Sequence, residues 1–238
     1  MTQSKLSSKE INPIVDTFIA PPCHEQIDVL FADEHILLIN KPSGLLSLSG
    51  KNPLNSDSVH RRLLQIYPSA LMTHRLDFGT SGLMILALNK TVNAHITKQF
   101  QDRTIIKSYE SMLYGHVEEE EGDIDIPILK DPAHFPRQKV CYNSGKQAQS
   151  HYTVLERLHC PERTRVRFTP KTGRTHQLRV HSQAIGHPIL GCDLYGMDEK
   201  TKINTHSLAH RLLLHARSLE FTHPVSDQRI SRTCPCPF

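Results

Sequence analysis

Tryptophan is absent from the 238-residue chain, and aromatic residues make up only 6% of it. Its core must be built from aliphatic side chains. No apolar run approaches the ~20 residues of a membrane-spanning helix, so a helical membrane protein is excluded. The first 25 residues, MTQSKLSSKEINPIVDTFIAPPCHE, lack the apolar centre of a secretory signal. They are expected to form a polar, partly mobile leader, and the protein to work in the cytoplasm. Chemical signatures are missing too. No C-x-x-C pair occurs, so the cysteines at 23, 141, 160, 192, 234 and 236 read as reduced thiols rather than a zinc site or a disulfide framework. There is no G-x-S-x-G elbow and no G-x-x-x-x-G-K-[ST] loop, which argues against a serine hydrolase and a P-loop enzyme. No internal repeat and no low-complexity tract is found.

What is present is a soluble, globular composition, 38% apolar and 22% charged, with a net charge of +4. The positive charge is uneven. Residues 157 to 181 carry Arg157, Arg163, Arg165, Arg167, Lys171, Arg174 and Arg179 against a single acid, Glu162. Glu118 to Glu121 form an acidic run. A local basic stripe suits a polyanion, with nucleic acid first, although a solvated basic face has the same composition.

HILLIN (35–40), ended by Lys-Pro-Ser-Gly, predicts a strand and turn. Asp57 is placed to cap a helix carrying Val59, Leu63, Ile66 and Tyr67 at helical spacing, stopped by Pro68. GLMILAL (82–88) reads as a buried strand, and Val92, Ile96 and Phe100 as the apolar stripe of a helix over 91–102. A strand over 109–117 follows, then hairpins within 123–150, then strands in HYTVLERL and RTRVRFTP. A helix is expected over 177–183, and LLLHARSLEFTHP (212–224) as paired strands turning at His223-Pro224. Strands and helices do not alternate regularly. This favours an α+β fold with a mixed, mainly antiparallel sheet flanked by helices and loops.

HRLDFGTSG (74–82) sets one carboxylate, Asp77, between an arginine and a glycine-containing turn at the mouth of a buried strand. Asp77 can tie the turn, ligate a metal, act as a general base or act as a nucleophile. Charges near a core need partners, and KTGRTHQLRVH (171–181) supplies Arg174 and Arg179 to meet it. His74, His176 and His181 are poor candidates for a metal cluster. Two of them are five residues apart, off the pairing that puts ligands on one helix face, and nearby cations repel a metal.

HRLDFGTSGLMILALNK resembles the signature H-R-L-D-x-x-T-S-G, with its apolar strand, of the RluA-type pseudouridine synthases. KTGRTHQLRVH resembles that family's G-R-x-H-Q-L-R-x-H. GHPILGCDLYG (186–196) resembles its G-H-P-I-L-G-D-x-x-Y, LLLHA (212–216) its late strand, and NKPSGLLS (40–47) its entry strand and turn. The blocks run in the family's order across most of residues 30–222. The resemblance implies the family's catalytic fold over 26–238, with a cleft across the sheet, and isomerisation of uridine to pseudouridine in RNA. It implies catalytic roles for Asp77, for Tyr109 against the target base and for Arg179 paired with the aspartate. The resemblance also implies that Arg75 matches the residue that fills the gap left by an extruded base in close relatives, and that Leu178 is an apolar wall beside the pocket. His74, Thr80, Lys171, Arg174 and His176 are expected RNA contacts. No metal, nucleotide or redox cofactor is implied.

Only about 25 residues precede the entry strand, so no S4-type RNA-binding module is expected. The short form, with PRQKVCYNSGKQAQ (136–149), resembles the dual-specificity branch, which acts on a tRNA anticodon stem-loop and on a hairpin of 23S rRNA. Recognition would then rest on loop shape and the basic stripe. A monomer without an obligatory protein partner is expected. The tail RISRTCPCPF departs from the family's usual TFKAPLP-like ending and puts the last strand in doubt. The rival function is a non-catalytic RNA-binding protein that keeps the fold.

Overall fold

The computed structural model describes residues 18–197 and 202–238. Along the chain run β1 (Asp28–Ala32), β2 (Ile36–Lys41), α1 (Val59–Leu64), β3 (Leu71–Met72), β4 (Ser81–Ala87), α2 (Lys90–Gln101), β5 (Ile106–Tyr114), β6 (Glu121–Asp125), β7 (Ile128–Lys130), β8 (Gln138–Val140), β9 (Gln149–His159), β10 (Glu162–Pro170), α3 (Gln177–Ala184), β11 (Leu214–Thr222) and β12 (Arg229–Thr233). The main sheet has the order β1-β2-β4-β11-β5-β10-β9-β6, with β3 added to β4 and β12 to β11. β7 and β8 form a separate hairpin. All pairings are antiparallel except β4 with β11, so the expected α+β class with a mixed, mainly antiparallel sheet is what the chain forms.

β2 and β4 are continuous apolar runs because both of their faces are covered. Leu37, Ile39, Met84 and Leu86 pack with Val59 and Leu63 of α1. Ile36, Leu38, Leu83 and Ile85 pack with Val92 and Ile96 of α2. In the other half of the sheet, Val166 and Phe168 of β10 pack with Leu178 and Val180 of α3.

The two halves meet at a seam only two pairs long, where His215 faces Ser81 and Ala216 faces Gly82. Gly82 has φ +111°, and a Cβ there would press into the Ala216 carbonyl and come within 2.6 Å of its nitrogen. Only glycine permits this approach. On its other edge Ala216 pairs with Tyr109 of β5. The seam thus brings the segment preceding β4 beside Tyr109.

Several elements differ from the sequence expectations. α1 ends at Leu64, and Ile66 is 71% exposed. Its cap is Ser58, whose hydroxyl accepts from the Arg61 amide, while Asp57 instead pairs with Arg62 at 2.7 Å. Residues 212–224 hold one strand, β11, whose partner β12 follows the turn after His223. The last strand therefore does form, and Cys234 behind it is buried. The leader's residues 1–17 lie outside the described residues. Residues 18–25 are tied down: Asn55 bonds Phe18 and Ala20, and Arg62 bonds Cys23 and Glu25.

The basic stripe also divides. β10 alternates, with Thr164, Val166 and Phe168 facing the core and Arg163, Arg165 and Arg167 on the opposite face. There Arg165, Arg167 and Arg217 surround the buried Glu110 at 3.9, 3.9 and 3.3 Å. Arg157 bonds Glu120 and the carbonyls of Val117 and Glu118. The arginines of β10 thus face away from Tyr109.

Candidate active site

Asp77 sits in a tight turn closed by the Thr80 amide on the Asp77 carbonyl (3.1 Å). The turn after β2 grips almost every neighbouring residue. Ser47 donates to the Leu76 carbonyl, Ser43 to Gly79, and the Gly44 amide to Phe78. Lys41, fully buried, donates to the carbonyls of Pro42, Phe78 and Thr80 at 2.8, 3.2 and 2.9 Å. Three acceptors match the three N–H groups of an ammonium, while burial pulls the Lys41 pKa down to about 7. The backbone around Asp77 is thus fixed, while its half-buried carboxylate takes no hydrogen bond from the described residues.

The upstream residues hold β4 down. Ile85 donates to Nε2 of His74 (3.1 Å) and accepts from the Thr73 hydroxyl (2.6 Å). The His74 ring lies 4.5 Å from that of Phe100. Burial, aided by Lys107, lowers the His74 pKa to about 3, so the ring is a neutral acceptor.

The second block is organised by two buried side chains. Gln177 uses its whole amide: its oxygen accepts from Thr172 and the Arg174 amide, and its nitrogen donates to Gln149 and Ser150. His181 bonds Ser150 and the Ile126 carbonyl. These anchors fix α3 so that His176, Leu178 and Arg179 face Asp77 and Tyr109 across a cleft of about 900 Å³. His74, Arg75, Thr80, Lys171 and Arg174 line the same cleft.

Electrostatics mark Asp77 as its centre. Burial raises the Tyr109 pKa, and the Asp77 charge raises it further. Burial lowers that of His176, with Asp77 pulling it back up. For Arg179, burial opposes the charge, but Cys192, Asp193 and Asp77 outweigh it and its pKa is raised. The direct partner of Arg179 differs from expectation. Its guanidinium pairs with the Asp193 carboxylate, contacts Cys192 Sγ at 3.3 Å and stacks on the Tyr195 ring at 5.2 Å. No direct ion pair joins it to Asp77. The physical reason is that the Arg179 guanidinium lies over the 192–195 segment, whose half-exposed Asp193 carboxylate is within direct reach.

The remaining residues differ in how free they are. Arg75 is exposed and makes no hydrogen bond or ion pair with the described residues. Lys171 reaches Asp123 at 3.3 Å, and Arg174 donates to the Gln147 carbonyl. Thr80 and Leu178 are buried, at 2% and 6% exposure, and contribute to the wall of the cleft rather than to an exposed contact. Among the described residues no group of three or more His, Cys, Asp or Glu is arranged to hold a metal ion. None of the described helices is long and apolar enough to cross a membrane.

Residues 35–184 match the family model described as RNA pseudouridylate synthase. The chain is 45% identical over 221 residues to a dual-specificity RNA pseudouridine synthase RluA of Vibrio parahaemolyticus, covering 92% of this chain and 86% of the relative. A protein of the same name from Haemophilus ducreyi is 46% identical over 211 residues, covering 87% and 92%.

The chain belongs to the RluA family of RNA pseudouridine synthases.

Its fold is shared with the solved structure of human RNA pseudouridylate synthase domain containing 1, at 29% identity and a TM-score of 0.75, covering 92% of this chain and 86% of that one. RNA pseudouridine synthase activity, an isomerisation, follows from this membership. Lys41, Tyr195 and Asp193 are the cleft-supporting residues that sequence reasoning missed. Lys41 stands inside the quoted block NKPSG, and Asp193 and Tyr195 both stand inside GCDLYG. Their block positions were the available signal.

Proposed function

We propose that the protein converts specific uridines to pseudouridine in both a tRNA anticodon stem-loop and a 23S rRNA hairpin. The observation that carries this reading is the convergence of Asp77, Tyr109 and Arg179, from three separate elements, on one cleft. The names of the Vibrio and Haemophilus relatives support the dual substrate. A uridine inside a stacked loop is out of reach, so it is flipped into the cleft. Exposed Arg75 takes the vacated slot by stacking its guanidinium. Asp77 then acts on the sugar as nucleophile or base, the N1–C1′ bond breaks, and the base turns and rejoins through C5. The C5 hydrogen leaves to water and N1 gains one, so the product is an isomer. Tyr109 lies against the base, and Arg179 supplies positive charge on the opposite wall of the cleft. The enzyme is proposed to act in the cytoplasm as a monomer without a cofactor.

The test is tritium release from a tRNA transcript labelled at C5 of uridine, and from a labelled 23S rRNA fragment. Wild type is expected to release tritium from both. Asp77→Asn is expected to release none while binding RNA with nearly unchanged affinity. Release from one RNA only reduces the proposal to a single-target enzyme. No release from either favours an RNA-binding protein that keeps the fold.

A further inference from the structure

The hairpin β7–β8 stands apart from the main sheet, and its tip carries Phe135, 56% exposed. An exposed aromatic ring has no core to serve. Phe135 is also not at a random place on the surface, because it and Pro136 line the rim of the cleft that holds Asp77.

The tip is held firmly. Asp131 donates its amide to the Arg137 carbonyl, and the His134 and Arg137 amides close further turns across the tip. The Asp131 carboxylate pairs with His134 at 2.9 Å and with Lys139 at 3.5 Å. The tip is also keyed to the catalytic side of the cleft through one side chain. The Tyr195 hydroxyl accepts from the Gln138 amide (2.7 Å) and bonds His176 Nδ1 (2.8 Å). Its ring is covered by Arg137 at 5.4 Å and by Arg179 at 5.2 Å. Tyr195 thus fixes the position of the Phe135 tip relative to Arg179.

We infer that Phe135 is a stacking platform for an unpaired RNA base next to the uridine that reacts. This deepens the proposed function and rests on it for the identity of the RNA. A cleft of about 900 Å³ lies near the upper end of small-ligand pockets, roughly 300–1,000 Å³, so one flipped nucleoside fills only part of it. The flanking chain must lie along the rest. Arg137 on the hairpin and Arg174 on the cleft wall supply cations for its phosphates, and an aromatic face suits a base without reading its identity. Pairing an aromatic face with cations is the general device for holding single-stranded RNA. The protein would then grip the loop at two points, the flipped uridine and its neighbour.

The experiment compares wild type with Phe135→Ala, Phe135→Leu and Phe135→Tyr, using an anticodon stem-loop RNA labelled both with a fluorophore and with C5 tritium. Affinity is read by anisotropy and turnover by tritium release. Phe135→Ala and Phe135→Leu are expected to raise the dissociation constant and the half-saturating RNA concentration about 10-fold, with the rate at saturation much less changed. Phe135→Tyr is expected to restore both. Replacing the loop base beside the target with an abasic site should weaken wild type and leave Phe135→Ala nearly unaffected. Unchanged affinity in Phe135→Ala overturns the inference, as does a leucine variant that binds like wild type, since a π face is then not required. Because anisotropy does not depend on turnover, a wild type that binds but releases no tritium sinks the proposed reaction while still deciding this contact. Thermal melts confirm that each variant is folded.

Discussion

Lys41 shows how much a single side chain contributes at the residue scale. Its buried amino group donates to three backbone carbonyls, two of them within the Asp77 turn. Lys41→Met keeps the length and removes every donor. The stranded carbonyls should lower stability by about 3 kcal/mol or more in urea unfolding, and turnover should fall because the turn is loosened. A variant as stable as wild type would mean that the carbonyls find other partners. Sequence reading located Asp77 from its neighbours but not Lys41, which acts from 37 to 39 residues away. Bonds of that range leave no periodic trace. The same blindness applies to Arg179. The sequence supplied an arginine that could meet Asp77, yet Asp193, 14 residues further on, is its direct partner.

At the scale of elements, the strongly patterned segments were the legible ones. HILLIN and GLMILAL are strands because each is apolar on both faces, and α2 keeps its stripe of Val92 and Ile96. Where pattern and context compete, context decides. Ile66 continues the periodicity of α1 but has no core to enter. Asp57 and Ser58 are both good caps, and the neighbouring Arg62 claims the aspartate. The basic stripe was legible in composition only. Its R-x-R-x-R alternation in β10 already carried the strand period that turns those arginines from the cleft. The seam between β4 and β11 was not visible, since a two-pair contact has no sequence signature beyond Gly82. That glycine is the element-scale test. Gly82→Ala meets both a left-handed φ and the Ala216 backbone, so it should destabilise the protein by about 3 kcal/mol and reduce turnover by separating Asp77 from Tyr109. A melting temperature equal to wild type would show that the seam can open at little cost.

For the whole molecule, buried histidines set the response to acid. Burial lowers the pKa of His74 to about 3, of His215 to about 4, and of His176 and His181 by smaller amounts. His215 lies at the seam, with its Nδ1 bonded to Ser81 at 2.8 Å and its Nε2 to the Cys234 carbonyl at 3.3 Å. For His74 and His215 the unfolded chain takes up a proton near pH 6.5 that the folded chain refuses until much lower pH, and His176 and His181 act in the same direction. Stability from these groups is therefore complete above pH 6.5 and is lost as pH falls toward 3–4. The melting temperature should decline below pH 6, before most carboxylates protonate, and His215→Asn should flatten part of that slope. A melting temperature constant from pH 7 to pH 4.5 would contradict it.

The division of the arginines has a consequence for ions in solution. RNA gives up condensed counterions in proportion to the phosphates that protein cations replace, at about 0.7 per phosphate on a single strand. Arg165 and Arg167 already face Glu110 on the far side of the sheet. With RNA in the cleft, as proposed, they meet no phosphate and displace no ions. A plot of log affinity against log salt should keep its slope in Arg167→Gln and become shallower by about 0.7 in Arg174→Gln. The number of sodium ions released on binding thus reports which face of the sheet the RNA occupies.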